Sequence, residues 1–313
     1  MKEKTAVLLI GFGGPTSMAE VRPFLQSVLE GVHIPQSRLD EVIHHYEAFK
    51  GISPYNKITR KKKEALTVWL KEKGLATPVY IGLRHASPGF KETFEAMKRD
   101  GIEKVIGFVL SSFRCSASFE KYIKKLEEGR AKADASRISV EYTDNFFNHP
   151  LFLEAQASQI TSKLKGLSRE EQEKTYFIFS AHSIPISMSE DSGYADQFLK
   201  ASSLIAEQLK FSHWVLGYQS RSGNPRDPWL SPDVKEIIQK LDPKKFHQVM
   251  LIPIGFLCDN MEVLYDLDTE AKAAAETMDI RYLRASTVMD HPQFIEMMGI
   301  QISQKLEPRS VCR

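Results

Sequence analysis

The sequence predicts an α/β protein of two similar domains, each with a parallel β-sheet covered by helices. First, short apolar runs alternate with amphipathic helical stretches along the chain of 313 residues. Second, these runs are apolar throughout, which is typical of strands buried on both faces of a parallel sheet. Third, the segment at 148–154 recurs at 290–296, and the run at 105–110 recurs at 249–254. This duplication predicts domains at residues 1–145 and 146–313, with the last helix able to pack back on the first domain.

The elements can be placed in order along the chain. The predicted strands lie at residues 6–10, 79–81, 105–110, 176–179, 214–218 and 249–254. Helical patterns follow the first three, through residues 24–29, 88–99 and 118–133. The polar stretch at 167–174 is expected to be a surface linker or a helix end. Ligands of such folds bind beyond the carboxyl ends of the strands, so the segments after each run are the candidates for chemistry, in a crevice between the domains.

Charge and composition exclude several classes of protein. The 42 Lys and Arg nearly balance the 40 Asp and Glu, giving a net charge of +2, so no basic surface for nucleic acid is expected. Hydrophobic residues make up 42% of the chain, which is too many for a disordered protein. The longest apolar run, at 249–258, is far shorter than the about 20 residues of a membrane-spanning helix. We therefore expect no nucleic-acid partner and no integral membrane segment.

The first apolar run and the cysteines bear on the cellular compartment. Residues 6–10 are short for a signal peptide, and an acid interrupts the basic residues before them, so a buried strand is expected. The three cysteines, Cys115, Cys258 and Cys312, are far apart and form no Cys-x-x-Cys. A disulfide framework is therefore not expected, and the cytoplasm is the predicted compartment.

A histidine follows the fourth apolar run, within the sequence Ser-Ala-His-Ser-Ile-Pro at 180–185. A neutral imidazole can bind a metal or accept a proton near neutral pH. On its own, however, His182 is more often a structural residue held by a hydrogen bond. Ser183 is a weaker candidate nucleophile, because no Gly-x-Ser-x-Gly elbow surrounds it.

Acids follow the last apolar run, among them Asp259, Glu262, Asp266 and Glu270. The last three are spaced i, i+4 and i+8, so on a helix they form one ridge on which like charges repel. Such a ridge indicates either a solvated face or a bound cation. Its position directly after a predicted strand favours a hydrated divalent cation held by carboxylate oxygens.

Three loops occupy similar positions without a decisive signature. The loops at 51–54 and 218–223 offer hydroxyls, backbone N–H groups and an arginine, which suit a carboxylate or phosphate. A structural turn is an equally good explanation for each alone. The glycine-rich segment at 11–15 matches neither the dinucleotide fingerprint nor the Walker sequence, so a nucleotide is not expected.

Taken together, these motifs resemble those of the ferrochelatases over essentially the whole chain. The matching segments, in order, lie at residues 8–15, 51–54, 82–88, 179–185, 218–223 with 229–230, and 255–268. The resemblance is strongest to bacterial members, particularly the actinobacterial type. It implies a chelatase-like fold of two Rossmann-like domains, with parallel four-stranded sheets flanked by helices and a cleft between the domains. It also implies insertion of Fe(II) as a substrate into a porphyrin, coproporphyrin III or protoporphyrin IX, to make heme or its precursor.

The resemblance assigns roles to individual residues. His182 matches the family's metal-binding and proton-handling histidine, and Glu262 the glutamate across the porphyrin, so both are expected to be catalytic and to bind the metal. Asp266 and Glu270 match the acidic line that leads the metal inward. Metallation removes two pyrrole protons and adds a dication, so a base, a nitrogen ligand and carboxylates fit this chemistry. Candidate porphyrin contacts are Phe12, Ser53, Arg84, Tyr122 and Ser220.

Three residues depart from the family pattern. Lys50 replaces a glycine, and Asn260 replaces a histidine. Phe12 stands where coproporphyrin-using members often carry Tyr and protoporphyrin-using members Met, so the choice of porphyrin stays open.

Cofactor and assembly are also expectations from the resemblance. Some relatives bind a [2Fe–2S] cluster through four cysteines; with three, no cluster and no permanently bound cofactor are expected. The chain lacks the C-terminal extension and apolar lip of animal members, so a monomer is expected.

Two other functions stay open at this point. One is a chelatase for a different tetrapyrrole, for example one that inserts cobalt; such relatives tend to use a pair of histidines, whereas here the partner of His182 is Glu262. The other is a porphyrin- or heme-binding protein without turnover, because of Asn260 and Phe12.

Overall fold

The computed structural model describes residues 3–31, 36–222 and 226–306. Its described residues form two compact units. The first contains the described residues within 1–111, 116–145 and 290–313, and the second contains those within 112–115 and 146–289. The last helix thus belongs to the first unit, not to the second domain in which the sequence places residues 146–313. This agrees with the expectation that the last helix can pack back on the first domain.

The first unit is built on a four-stranded parallel sheet in the order β2-β1-β3-β4. Its strands are β1 (Thr5–Gly11), β2 (Val79–Leu83), β3 (Lys104–Val109) and β4 (Ser139–Tyr142). Its helices up to β4 are α1 (Met18–Val28), α2 (Gln36–Glu47), α3 (Tyr55–Glu72), α4 (Phe90–Arg99) and α5 (Lys121–Lys132), and a π-helix, Ser116–Glu120, precedes α5. Residues 6–10 of the central strand β1 are completely buried, which explains their unbroken apolar sequence.

The second unit repeats this plan with the order β6-β5-β7-β8. Its strands are β5 (Thr175–His182), β6 (Trp214–Gln219), β7 (Gln248–Ile252) and β8 (Arg281–Arg284). Its helices are α6 (Pro150–Leu164), α7 (Arg169–Glu173), α8 (Ile186–Ser192), α9 (Tyr194–Leu209), α10 (Val234–Gln239) and α11 (Lys272–Thr277), and a π-helix, Val263–Ala271, leads into α11. The final helix, α12 (Pro292–Leu306), packs on α3 of the first unit, where Gly299 lies against the Trp69 ring.

The duplication in the sequence corresponds to a duplication of structure. In both units the first strand in sequence lies between the second and the third, and a π-helix follows the third. The repeated His-Pro pair starts a helix each time, because Nδ1 of His149 and of His291 accepts a hydrogen bond from the backbone nitrogen two residues on, at 3.3 Å. The predicted α/β fold, with two parallel four-stranded sheets flanked by helices, is confirmed.

The edge strands β4 and β8 cannot be predicted from apolar runs in the sequence. Both have four residues and only partial burial, so polar residues are tolerated and the apolar run is lost. The apolar run at 249–254 extends beyond the end of its strand. β7 ends at Ile252, because Pro253 has no N–H to donate to a neighbouring strand. The polar stretch at 167–174 forms the short helix α7, which begins with a capping box between Ser168 and Glu171.

Each unit has its own apolar core. In the first, the sheet packs against α4 and α5. In the second, Ile178, Val249 and Leu251 pack against α10, the π-helix and α11. Across the described ranges, no helix combines the length and apolar character needed to cross a membrane.

Candidate metal centre

His182 is the last residue of β5, one of the two inner strands of its sheet. Its Nδ1 donates a hydrogen bond to the Ser183 carbonyl, and the Tyr194 hydroxyl donates to the His182 carbonyl at 3.0 Å. With the Nδ1 proton engaged, Nε2 is the nitrogen that faces outward from the strand end. The location of His182 at a strand end, predicted from the apolar run before it, is therefore seen in the structure.

Glu262 meets His182 from the segment that leads into the second unit's π-helix. Its Oε1 lies 3.5 Å from Nε2 of His182, and the two side chains remain 42% and 31% exposed. Asn260 donates from Nδ2 to the other carboxylate oxygen at 3.3 Å and accepts the backbone N–H of Val263 at 3.0 Å. Asn260 thus orients Glu262 and caps the helix start, so the polar role survives the departure from the family's histidine.

The two groups of this pair shift each other's pKa. Burial opposes protonation of His182, but the Glu262 carboxylate outweighs burial and raises the pKa of His182 to about 9. For Glu262, burial favours the neutral form, but the imidazolium outweighs it and lowers the carboxyl pKa. Around neutral pH the two side chains therefore form an imidazolium–carboxylate pair.

The next two acids of the predicted ridge have other partners. The Ser220 hydroxyl donates to Asp266, and Lys235 Nζ lies 2.6 Å from Glu270. Burial, together with the nearby charges of Glu262 and Glu270, raises the pKa of Asp266 to about 6 despite the Ser220 hydrogen bond. The segment is a π-helix and not the α-helix assumed for the i, i+4 ridge.

These acids follow one another along the helix without forming a single cage. Within residues 3–31, 36–222 and 226–306, no three His, Cys, Asp or Glu side chains lie close enough to hold one metal ion. The structure brings together His182 and Glu262 as a pair, and places Asp266 and Glu270 beyond it. Such an arrangement can attract a dication and donate to it from one side without enclosing it.

Other acids of the same segment serve structure. Arg284, on β8, bonds Asp259 at 3.1 Å and Asp268 at 2.5 Å, and Thr287 Oγ1 also donates to Asp259 at 3.0 Å. Asp259 is therefore explained as an ion-pair residue and not as a metal ligand. Sequence reasoning misses Arg284 because its strand, β8, has no apolar run.

Gly255 allows the loop after β7 to lie against the end of β5. A Cβ at this position would lie 2.6 Å from Ala181 Cβ and 2.7 Å from its Cα, and the Gly255 N–H donates to the Ser180 carbonyl at 3.0 Å. We expect Gly255→Ala to lower the free energy of unfolding by about 1–3 kcal/mol and to reduce activity, because the loop must move away from His182.

Denaturant unfolding and turnover measured on the same variant check this prediction. Gly89→Ala is the control, since its Cβ would meet only a carbonyl oxygen at 4.0 Å. Equal effects of the two substitutions would contradict the close-packing argument.

Four of the remaining candidates belong to the first unit, and Ser220 follows β6 of the second. Phe12 and Arg84 follow strands, Ser53 lies just before α3, and Tyr122 lies on α5. Phe12 follows β1 and packs against His85, with ring centroids 4.6 Å apart and the ring planes tilted by 59°. Arg84 follows β2, where its guanidinium lies 6.0 Å from the centre of the Tyr122 ring. Ser53 and Tyr122 are buried, with their packing within this unit.

Two features singled out above lie outside the described residues: Gly223 of the loop motif and Cys312. Lys50 is exposed and has a positive φ of 55°. The structure gives a reason for the glycine that follows it. Gly51 has a φ of 70°, and a Cβ there would clash with the backbone of Met18.

Comparison with known proteins places these features in a family. The ferrochelatase family model matches residues 4–306. A ferrochelatase of Rhodopirellula baltica is 36% identical over 96% of this chain and 85% of its own length. A coproporphyrin III ferrochelatase of Propionibacterium freudenreichii is 37% identical over 93% and 84%, and one of Mycolicibacterium smegmatis is 34% identical over 98% and 92%.

Solved structures show the same fold at low identity. The sirohydrochlorin chelatase SirB of Bacillus subtilis superposes with a TM-score of 0.54 at 12% identity, over 96% of this chain and 94% of its own. A multi-domain protein of Deinococcus radiodurans with similarity to chelatases gives a TM-score of 0.58 at 15% identity; this chain covers 56% of its length. With a family model over nearly its whole length and relatives above one-third identity, this chain belongs to the ferrochelatase family.

Proposed function

We propose that this chain is an enzyme that inserts ferrous iron into coproporphyrin III, with His182 and Glu262 as the metal- and proton-handling pair. The observation that carries the proposal is the pair itself: an imidazole nitrogen and a carboxylate oxygen 3.5 Å apart at the carboxyl end of an inner strand, both partly exposed. Family membership favours this reaction over both a cobalt chelatase and a porphyrin-binding protein without turnover, since the likeness to the sirohydrochlorin chelatase is one of fold alone.

The residues fit the requirements of the reaction. Two pyrrole N–H protons leave the porphyrin as one dication binds its four nitrogens, so the site must accept protons and pass on a metal. An approaching dication repels the imidazolium charge and favours loss of its Nε2 proton. Once that proton has left, His182 and Glu262 offer a nitrogen and an oxygen on the same side for both tasks. Asp266 and Glu270, farther along the helix, supply negative charge that attracts the cation before it reaches the pair.

The choice of coproporphyrin III rests on the relatives and on charge. The relatives from Propionibacterium freudenreichii and Mycolicibacterium smegmatis are named coproporphyrin III ferrochelatases. Coproporphyrin III carries four propionates, whereas protoporphyrin IX carries two, so it gains more from cations and hydroxyls beside the site. Phe12, Ser53, Arg84, Tyr122 and Ser220 remain the proposed porphyrin contacts.

The purified protein should metallate coproporphyrin III with a kcat/KM about tenfold or more above that for protoporphyrin IX. Anaerobic assays with Fe(II), and fluorescence assays with Zn(II), would follow both porphyrins in parallel at matched concentration. Equal or better use of protoporphyrin IX would overturn the substrate, and insertion into neither porphyrin would overturn the function.

The expectations about cofactor and assembly stay predictions. We also propose that the protein acts as a monomer without a permanently bound cofactor or [2Fe–2S] cluster. Cys115 and Cys258 are buried. Iron and sulfide analysis of the purified protein, and its mass in solution, test these two points.

A further inference from the structure

Gln219 is a buried amide at the centre of the candidate site. It ends β6, pairs directly with His182 of β5 and is 1% exposed. Its Oε1 accepts a hydrogen bond from the Ser180 hydroxyl at 3.0 Å. Its Nε2 donates to the Glu262 carbonyl at 3.2 Å and lies 3.5 Å from Asp266 Oδ2. One side chain therefore connects the ends of two strands with the helix that carries both acids.

The partners of Gln219 determine the orientation of its amide. The Glu262 carbonyl and the Asp266 carboxylate are acceptors, so the amide nitrogen must face them. The Ser180 hydroxyl, itself fully buried, then donates to the amide oxygen on the other side. A flipped amide would place its oxygen against these acceptors and leave a buried N–H poorly matched, which costs free energy.

Ser220, the next residue, donates a second hydrogen bond to Asp266. Ser220 has a left-handed φ of 58°, a conformation that few residues other than glycine adopt. This turn directs the Ser220 hydroxyl to the same Asp266 oxygen that Gln219 approaches. Two consecutive residues thus supply neutral donors to one carboxylate.

We propose that Gln219 is a positioning residue for metal insertion. Its neutral amide holds the Glu262 backbone and the Asp266 carboxylate in a set relation to His182, while leaving the charge of Asp266 available to a cation. A lysine here would also orient the carboxylate, but its positive charge would repel an incoming metal cation. This inference rests on the metal roles proposed for His182 and Glu262.

The test is Gln219→Met, which keeps similar volume and removes both ends of the amide. Loss of a group that orients metal-site residues typically costs about 10- to 100-fold in metal affinity or activity. We expect the KM for Zn(II) to rise by about that factor, with the KM for the porphyrin unchanged and the variant still folded by circular dichroism.

A matched control is Gln248→Met. Gln248 is also buried, in the same unit, and its Nε2 donates to the Glu171 carbonyl and to Thr175, but it lies at the opposite, amino ends of the strands. It should lose stability without a change in metal KM. An equal rise in metal KM in both variants, or no rise in a folded Gln219→Met protein, overturns the inference.

A second variant tests the inference even if Gln219→Met does not fold. Ser180→Ala removes only the hydroxyl that fixes the amide orientation, and it should raise the metal KM in the same direction by a smaller factor. If Gln219→Met does not fold, an unchanged metal KM in Ser180→Ala overturns the inference. Wild-type protein with no metal insertion would instead contradict the proposed function itself, so the two failures are distinguishable.

Discussion

The substitution His182→Ala is expected to abolish metal insertion while leaving the protein folded. The loss in kcat should reach about a thousandfold or more, because proton transfer by a positioned side chain contributes up to about 10⁴-fold and the same nitrogen is the proposed metal ligand. The fold should survive because the His182 side chain is partly exposed at a strand end. The hydrogen bond from the Tyr194 hydroxyl to the His182 backbone carbonyl also does not depend on the imidazole ring.

Zn(II) insertion followed by porphyrin fluorescence measures this effect, with circular dichroism as the test of folding. His247→Ala is the control, since His247 is exposed just before β7, at the amino end of the same sheet, and should keep wild-type turnover. Near-normal turnover in a folded His182→Ala protein would refute the assignment of the catalytic pair.

The largest expected loss of stability is that of Arg284→Met. Arg284 is only 14% exposed and joins Asp259, which is 13% exposed, to Asp268 on the π-helix. Burial disfavours the charged guanidinium, but the two carboxylates outweigh burial and raise the arginine pKa further. Removing the arginine leaves two carboxylates close together with no cation between them, which should lower the free energy of unfolding by about 3 kcal/mol.

Urea unfolding of the variant measures the change. Arg281→Met is a matched control on the same strand, because Arg281 pairs with Glu171 at 3.6 Å on an exposed surface and should contribute little. Adding Asp259→Asn and Asp268→Asn to Arg284→Met should restore part of the stability, since the unpaired charges are then removed. A loss equal to that of the control would show that the network does not stabilise the unit.

The residues of the candidate pair, His182 and Glu262, could be predicted from the sequence because each follows an apolar run. A buried inner strand forces such a run, and the carboxyl ends of parallel strands meet at one edge, so His182 and the acids after β7 could be expected near each other. Their supporting residues carried no such signal. Lys235 and Arg284 come from segments without chemical motifs. Gln219 lies in the segment 218–223, in which the hydroxyls and the arginine were the candidate groups.

The repeated architecture and the types of residue placed after each strand can be predicted from the amino-acid sequence, because burial on both faces of a sheet demands apolar runs in a fixed order. How those residues are paired becomes visible only in the folded chain. Spacing put three acids on one helix, yet Glu262 meets His182, Asp266 meets Ser220 and Glu270 meets Lys235. Each partner comes from a different segment, so the pairing depends on strand order and close approach and not on distance along the chain.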